Sequence, residues 1–374
     1  MRFVATDRAS EDARLAKDVF GGRGGTVPLL RAGVVLETRY RRALIDAGIT
    51  RVLVADAESD GITVTPPLSE DRRWQAATRL APLLELTQNL LARGDRFTFD
   101  AVATASEVAS LVAHEVLESR DEVVSFADGF GPDGYPVQHP IDVTVLGLLI
   151  ARRLFAENGR AAAGGIRTTL GMDDSLRRLS LGLLLHDLGV SDGPDGMRLV
   201  DGALQEDPWE VLNAHTQLGH ESLPWSLVSA HASAAVRCHH EHWDGTGPQG
   251  LVGEQIPQFA RIAAVADTYD ALTSSRSGHA PEPSHAAVEA IARAAGTLFD
   301  PEVVKVFLTI VAPFPPGTEV TLSDGSAGVV TEVLPEALHR PVVRLLRDPA
   351  GARVEPIEIA VGGGHPELTV AAAA

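Results

Sequence analysis

The spacing of apolar residues changes along this chain, and each change indicates a different kind of structure. Residues 1–66 predict a small α/β accessory unit. Within it, VPLLRAGVVLETRYRRALIDAGITRVLVAD predicts a short strand, a turn, an amphipathic helix and a second strand ending near Val54. Pro66 and Pro67 interrupt the chain, and residues 67–130 then show the helical period expected of connecting helices.

Helix follows helix from residue 131 to residue 311, and the pattern then changes again. Residues 312–365 alternate short Val, Leu and Ile runs with SDG and DPAG turns, which predicts a small antiparallel β-unit. Residues 366–374 are expected to form a frayed tail. The predicted fold is therefore mainly α: a helical domain flanked by a small N-terminal α/β unit and a small C-terminal β-unit.

Composition is that of an ordinary globular protein and limits the classes of partner. Hydrophobic residues make up 45% of the 374 positions, and no apolar run reaches the roughly 18 residues that span a membrane. The N-terminal segment lacks the apolar core of a secretory signal, and the single cysteine, Cys238, fits a reducing compartment, so a cytoplasmic location is expected. The net charge of -18 argues against a nucleic acid polymer as partner.

Carboxylates occur on the apolar faces of two predicted helices, where an ionised group is costly to bury. Leu179 and Leu183 mark one apolar stripe, and Asp187 follows Leu183 by four residues on the same face. Asp267 stands in the same relation to Ala263 on a later helix. A buried carboxylate needs a charged partner, hydrogen bonds or a metal ion. With the histidines of the same helices, these aspartates predict a metal cavity suited to iron, manganese or zinc.

Each member of this set has an ordinary structural explanation when it is considered alone. A lone histidine on an apolar helix is usually a core residue, a His-Asp dipeptide is common, and adjacent histidines also occur at solvated helix ends. The prediction depends on the whole ordered set: His139, His186, Asp187, His215, His239, His240 and Asp267.

The order of these residues resembles the HD-GYP branch of the HD superfamily of metal-dependent phosphohydrolases. The segment HHEHWDGTGPQGLVGEQIPQFARIAAVADTYDALTSSR is similar to that family's signature. The segments YPVQHPIDVTVLGLLIA, LLLHDLGV, AHTQLGHESL and FDPEVV extend the similarity over roughly residues 131–310. The resemblance implies an HD-type helical bundle as the catalytic domain.

The resemblance also implies two divalent metal ions, with iron or manganese expected, bound close together in the bundle. By comparison with the family motif, one ion would be held by His139, His186, Asp187 and Asp267. The other would be held by Asp187, His215, His239 and His240, with Asp187 bridging the pair. A bridging hydroxide at His186 and Asp187 would attack phosphorus, and cyclic di-GMP would be the substrate.

Several positions depart from the family pattern and bear on substrate binding. Val190 stands where the family has a lysine, and the family's loop tyrosine is deleted before Pro248 in DGTGPQGL. Tyr135 stands where some members carry a glutamate that helps to hold a third ion, so two ions are expected. Arg276 is retained as a candidate phosphate contact, because its planar fork matches phosphate oxygens, whereas His279 replaces a basic residue.

Residues beside the histidine pair leave two interpretations open. Trp243 either stacks on a guanine base or closes the edge of the core. Glu241 and Asp244 either orient imidazoles or are exposed acids of a loop. Residues 191–203 form either a lid over the metals or a plain connector.

Three functions are compatible with this sequence. The complete ligand set favours a phosphodiesterase acting on a cyclic dinucleotide. A different HD-type phosphohydrolase would act on another nucleotide or phosphoester. A catalytically weak nucleotide-sensing or protein-docking module would explain the missing lysine and tyrosine. We also expect a homodimer, a signalling protein as partner and no contact with a membrane.

Overall fold

The computed structural model describes residues 1–21, 27–119, 134–157, 172–189, 197–206, 208–224, 226–276, 280–363 and 367–373. Val190 and His279, two positions at which the sequence departs from the family pattern, lie outside the described residues.

Helices make up most of the described chain. They are α1 (Thr38–Asp46), α2 (Glu70–Ala92), α3 (Phe99–Glu118), α4 (Tyr135–Glu157), α5 (Met172–Leu184), α6 (Trp209–Ser222), α7 (Ala230–Cys238), α8 (Gln258–Thr273), α9 (Ser284–Arg293) and α10 (Pro301–Ile310). The strands are β1 (Arg2–Ala5), β2 (Arg14–Leu15), β3 (Val19–Gly21), β4 (Val27–Leu30), β5 (Arg51–Ala55), β6 (Arg198–Val200), β7 (Ala203–Gln205), β8 (Glu319–Leu322), β9 (Ala327–Glu332), β10 (Val342–Arg347), β11 (Arg353–Ala360) and β12 (Val370–Ala373).

The helical bundle has one hydrophobic core, with α4 near its centre. Residues 141–150 are all buried, and α4 packs against α2, α3, α5, α8 and α10. Gly147 lets α5 approach closely, because a Cβ at this position would lie 2.6 Å from Leu183 Cδ1. This close approach brings the end of α5, where His186 and Asp187 follow, against α4. The mainly helical fold with small sheets at both ends is confirmed.

The N-terminal unit contains more strands than its pattern predicts. The predicted strand near Val54 is β5, which lies between β1 and β2 in an antiparallel sheet with Phe3 opposite Leu53. The predicted strand before α1 is β4, and it pairs with β3 instead. The two strands that flank α1 therefore belong to different sheets.

The C-terminal unit is a five-stranded antiparallel sheet in the order β11-β10-β9-β8-β12. The prediction of a frayed tail at residues 366–374 is wrong for Val370–Ala373, which form β12 and place Val370 opposite Leu322 of β8. Without β12, β8 would be an edge with unpaired backbone groups. Leu368 and Val370 also pack against the core of this sheet, which stabilises the strand.

The terminal units contact each other and the bundle. Phe3 N donates to Gly317 O at 2.8 Å, and Ser275 Oγ, just after α8, donates to Gly48 O at 3.3 Å. The domain boundaries remain predictions. None of the described helices combines the length and apolar character needed to cross a bilayer.

Candidate metal centre

The predicted metal ligands come from separate segments of the bundle and meet inside it. His139 lies on α4, and His186 and Asp187 directly follow α5. The remaining members lie on α6, after α7 and on α8: His215, His239, His240 and Asp267. All five imidazoles are buried, whereas the side chain of Asp187 keeps 24% of its surface exposed. Asp187 is therefore the most exposed member of the set.

These residues form two groups that share Asp187. In each group, one candidate ligand atom per residue lies within 4.8 Å of the others. The first group, here called group 1, contains His139, His186, Asp187 and Asp267. The second group, here called group 2, contains Asp187, His215, His239 and His240. These are the same two sets that the resemblance implies, and their role as metal ligands stays a prediction.

Asp187 turns one carboxylate oxygen toward each group. Its Oδ2 lies 3.4 Å from His139 Nε2 and 3.3 Å from His186 Nε2. Its Oδ1 lies 3.4 Å from His239 Nε2 and 3.7 Å from His215 Nε2. A carboxylate with this orientation can bridge two cations, because each oxygen faces a different set of nitrogen donors.

Two imidazoles are held in one orientation by the backbone of their own segments. His186 Nδ1 lies 2.7 Å from Leu183 O, and His239 Nδ1 lies 3.1 Å from Ala235 O. A carbonyl oxygen only accepts, so each Nδ1 carries a proton, and the neutral form of each ring has its lone pair on Nε2, which faces the centre. This is the tautomer that a metal bound through Nε2 requires.

Nitrogen atoms approach one another in both groups. His139 Nε2 lies 3.2 Å from His186 Nε2 in group 1, and His215 Nε2 lies 3.5 Å from His239 Nε2 in group 2. Two neutral imidazole lone pairs at this distance repel each other unless a proton or a cation lies between them. The donor set therefore fits a bound cation in each group.

The charges of this centre are balanced by its own imidazoles. Burial disfavours the charged form of His186, but Asp187 and Asp267 outweigh it and raise the pKa of His186 to about 10. Burial also opposes ionisation of Asp267, yet hydrogen bonds from His139 and His186 hold the pKa of this carboxyl far below its usual range. Burial lowers the pKa of His215 to about 3, so its ring is neutral. Divalent cations could take the place of the shared protons.

A carboxylate that sequence reasoning missed lies behind group 1. Asp270 is buried on α8, and its Oδ2 accepts from His139 Nδ1 at 2.6 Å, which leaves His139 Nε2 free for the centre. Ser274 Oγ donates to the other oxygen at 3.0 Å. The spacing Asp267-x-x-Asp270 places both carboxylates on one side of a helix, and this signal could have identified Asp270.

The predicted phosphate contact, Arg276, has a backbone partner. Its guanidinium is buried and donates to the carbonyl oxygen of Met197, which directly precedes β6. The contact ties the segment after α8 to the hairpin of β6 and β7. A role for Arg276 in phosphate recognition stays a prediction.

Glu241 holds the signature loop and not an imidazole. Its Oε1 accepts from Gln249 N at 2.7 Å, and its Oε2 accepts from Leu251 N at 3.0 Å. Asp244 likewise accepts from Thr246 N, at 3.0 Å, within the loop. Asp244 is therefore an exposed acid of the loop, as one interpretation has it, whereas Glu241 is buried and accepts from loop amides, which neither interpretation describes.

Two aromatic residues near the centre have structural partners. The ring of Tyr135 stacks on His139, with centroids 4.7 Å apart and planes at 26°, and burial raises the pKa of its phenol. Tyr135 therefore covers group 1 with an aromatic face where a third carboxylate would otherwise be expected. Trp243 lies under the guanidinium of Arg261, which pairs with Asp300 at 2.5 Å. This packing matches the interpretation of Trp243 as part of the core edge.

A helical bundle with a shared histidine and carboxylate centre is the architecture expected of an HD phosphohydrolase, and comparison with known proteins agrees. The family model described as HD domain matches residues 146–303. The chain is 39% identical over 287 residues to the cyclic di-GMP phosphodiesterase response regulator RpfG of Xanthomonas campestris pv. campestris, a match covering 75% of this chain and 67% of that protein.

Other relatives match shorter segments. The cyclic di-GMP phosphodiesterase PA4108 of Pseudomonas aeruginosa is 33% identical over 247 residues, which cover 65% of this chain and 55% of that protein. The 3'3'-cGAMP-specific phosphodiesterase 2 of Vibrio cholerae is 35% identical over 127 residues, which cover 33% of this chain and 24% of that protein. The chain thus spans two thirds of the length of RpfG and about half of the length of PA4108.

This chain belongs to the HD-GYP family of HD-domain phosphodiesterases, with a degenerate signature loop. Membership in this family implies dependence on divalent metal ions.

Proposed function

We propose that this chain hydrolyses a cyclic dinucleotide, with cyclic di-GMP as its substrate, at the centre formed by groups 1 and 2. The observation that carries the proposal is the orientation of Asp187, whose two oxygens face the Nε2 atoms of different groups. The named activities of RpfG and PA4108 support cyclic di-GMP as the substrate.

Groups 1 and 2 would each hold one divalent ion, and iron or manganese suits their mixture of nitrogen and oxygen donors. When bound, two such ions lower the pKa of a shared water and neutralise charge on the phosphate. The protein itself holds the imidazole rings in the orientation that metal binding requires. Backbone carbonyls orient His186 and His239, and Asp270 orients His139.

A second candidate function is binding of a nucleotide with little turnover. It is favoured by the position of Arg276, whose buried guanidinium donates to Met197 O. A sensing module of this kind would keep the metal centre and lose part of its substrate contacts. A homodimer, a signalling-protein partner and a cytoplasmic location stay predictions.

A substrate panel with metal-loaded protein tests the proposal. Cyclic di-GMP, 3'3'-cGAMP and bis(p-nitrophenyl) phosphate are offered separately, and products are separated by chromatography. We expect the highest kcat/KM for cyclic di-GMP. A higher value for 3'3'-cGAMP would contradict the choice of substrate, and cleavage of the p-nitrophenyl ester alone would favour another HD-type phosphohydrolase. Cyclic di-GMP that binds but survives a long incubation would support the sensing module.

Two matched variants show whether the measured turnover comes from this centre. Asp187→Asn removes the bridging charge and is expected to abolish turnover. Asp173→Asn makes the same chemical change at an exposed position in the first turn of α5 and is expected to have no effect.

A further inference from the structure

A second carboxylate outside the predicted ligand set lies behind group 2. Glu206 follows β7, and each of its oxygens contacts a different imidazole. Its Oε1 lies 3.1 Å from His240 Nδ1, and its Oε2 lies 2.7 Å from His242 Nε2. Only 16% of the Glu206 side chain is exposed. Its two oxygens therefore accept from the N–H groups of two different rings.

The contact determines which nitrogen of His240 faces the centre. Because Glu206 Oε1 accepts, His240 Nδ1 carries a proton, and the neutral form of the ring has its lone pair on Nε2, which is left to face the centre. His186 and His239 obtain the same tautomer from backbone carbonyls, which no side-chain substitution removes. Among the described residues, His240 obtains it from Glu206.

In each group, one histidine therefore contacts a carboxylate through its Nδ1. Asp270 lies behind His139 in group 1, and Glu206 lies behind His240 in group 2. Neither carboxylate belongs to the set whose atoms converge on a cation position. Each is placed to orient a ligand and to increase its basicity.

The hairpin that carries Glu206 is attached to the bundle. Asp201 and Gly202 form its turn with φ values of 50° and 76°, as in the tight turns that suit the twist of paired strands. Arg293 Nη2 donates to Gly202 O at 2.8 Å, and Arg276 donates to Met197 O at the other end. The two arginines hold the hairpin so that Glu206 reaches group 2.

We propose that Glu206 is a positioning residue for His240 and thereby controls the affinity of group 2 for its metal ion, without itself contacting the ion. The proposal rests on the metal centre proposed above. It assigns a function to the β6–β7 hairpin. The hairpin supplies Glu206 to group 2, just as α8 supplies Asp270 to group 1.

Manganese titration of the metal-free full-length protein tests this assignment, with free manganese followed by electron paramagnetic resonance. Glu206→Ala is expected to weaken one of two bound ions by about 10- to 100-fold and leave the other unchanged. At one added equivalent, the variant should show the signal of a single ion, and the coupled pair should form only at higher concentration.

Glu206→Gln serves as the conservative variant, because its amide oxygen can still accept from His240 Nδ1. We expect it to recover part of the lost affinity and to remain folded if Glu206→Ala does not. Glu210→Gln is the matched control on the exposed side of α6 and should bind as the wild type does.

Wild-type binding of both ions by Glu206→Ala and Glu206→Gln would overturn the inference. Equal weakening of both ions, together with a lower unfolding temperature of the metal-free protein, would show a purely structural role and would also overturn it. Absence of bound manganese in the wild type would instead overturn the metal centre, and this inference with it.

Discussion

Replacement of Asp270 by asparagine removes a negative charge behind His139 and keeps the shape of the side chain. The affected contact joins Asp270 Oδ2 to His139 Nδ1 at 2.6 Å, and both residues are buried. A hydrogen bond to a charged group contributes about 1.5–3 kcal/mol, and about 1.4 kcal/mol corresponds to a factor of ten. We therefore expect Asp270→Asn to weaken the ion of group 1 by about 10- to 100-fold.

The assay is a competition between the protein and a fluorescent chelator of known manganese affinity, combined with turnover at several metal concentrations. Turnover of Asp270→Asn should recover as manganese is raised, because the substitution changes the orientation of a ligand and leaves the ligand in place. Asp100→Asn, at an exposed position in α3, is the matched control and should behave as the wild type does.

Two results would refute this reasoning. Unchanged manganese affinity in Asp270→Asn would show that His139 does not depend on this carboxylate. Turnover that stays low at saturating manganese would show that Asp270 acts in another way.

Three further predictions concern charge and loop structure. The raised pKa of His186, about 10, means that its charge stabilises the metal-free protein fully below about pH 6.5. That stabilisation should be lost as the pH rises through 10, which urea unfolding across this range can measure; a flat profile would contradict it. Arg276→Ala leaves Met197 O without its donor and should cost about 1–3 kcal/mol in the same measurement, whereas an unchanged midpoint would show that the contact is dispensable. Glu241→Ala removes the acceptor of two backbone amides in the signature loop. Limited proteolysis should therefore cleave this loop faster in the variant than in the wild type, and an equal rate would contradict the prediction.

The helical domain and the members of its centre could be recognised in the sequence because several signals coincide. Asp267 lies at helical spacing from Ala263 on α8 and is buried, so it demands a partner, whereas Asp187 directly follows the end of α5 and is only partly buried. The histidines then supply a set whose order resembles one family. The structure brings all seven residues together in two groups.

Other features have no such signal. Glu206 acts from a short hairpin, and a single glutamate before a proline-led helix is indistinguishable from a surface acid in the sequence. The strand Val370–Ala373 has neither alternation nor turn residues, and it forms because β8 offers an open edge. The contact from Arg276 to Met197 O could not be predicted from the sequence either, because its acceptor is a backbone atom of a residue far away in the chain.

The central claim is that Asp187 joins two metal positions in a working phosphodiesterase. Its most direct test is elemental analysis of anaerobically purified protein and of Asp187→Ala, with cyclic di-GMP turnover measured on the same samples. We predict about two iron or manganese ions per chain in the wild type, with both metal and turnover lost in the variant. A wild-type protein without metal, or an Asp187→Ala variant that retains turnover, would contradict the claim.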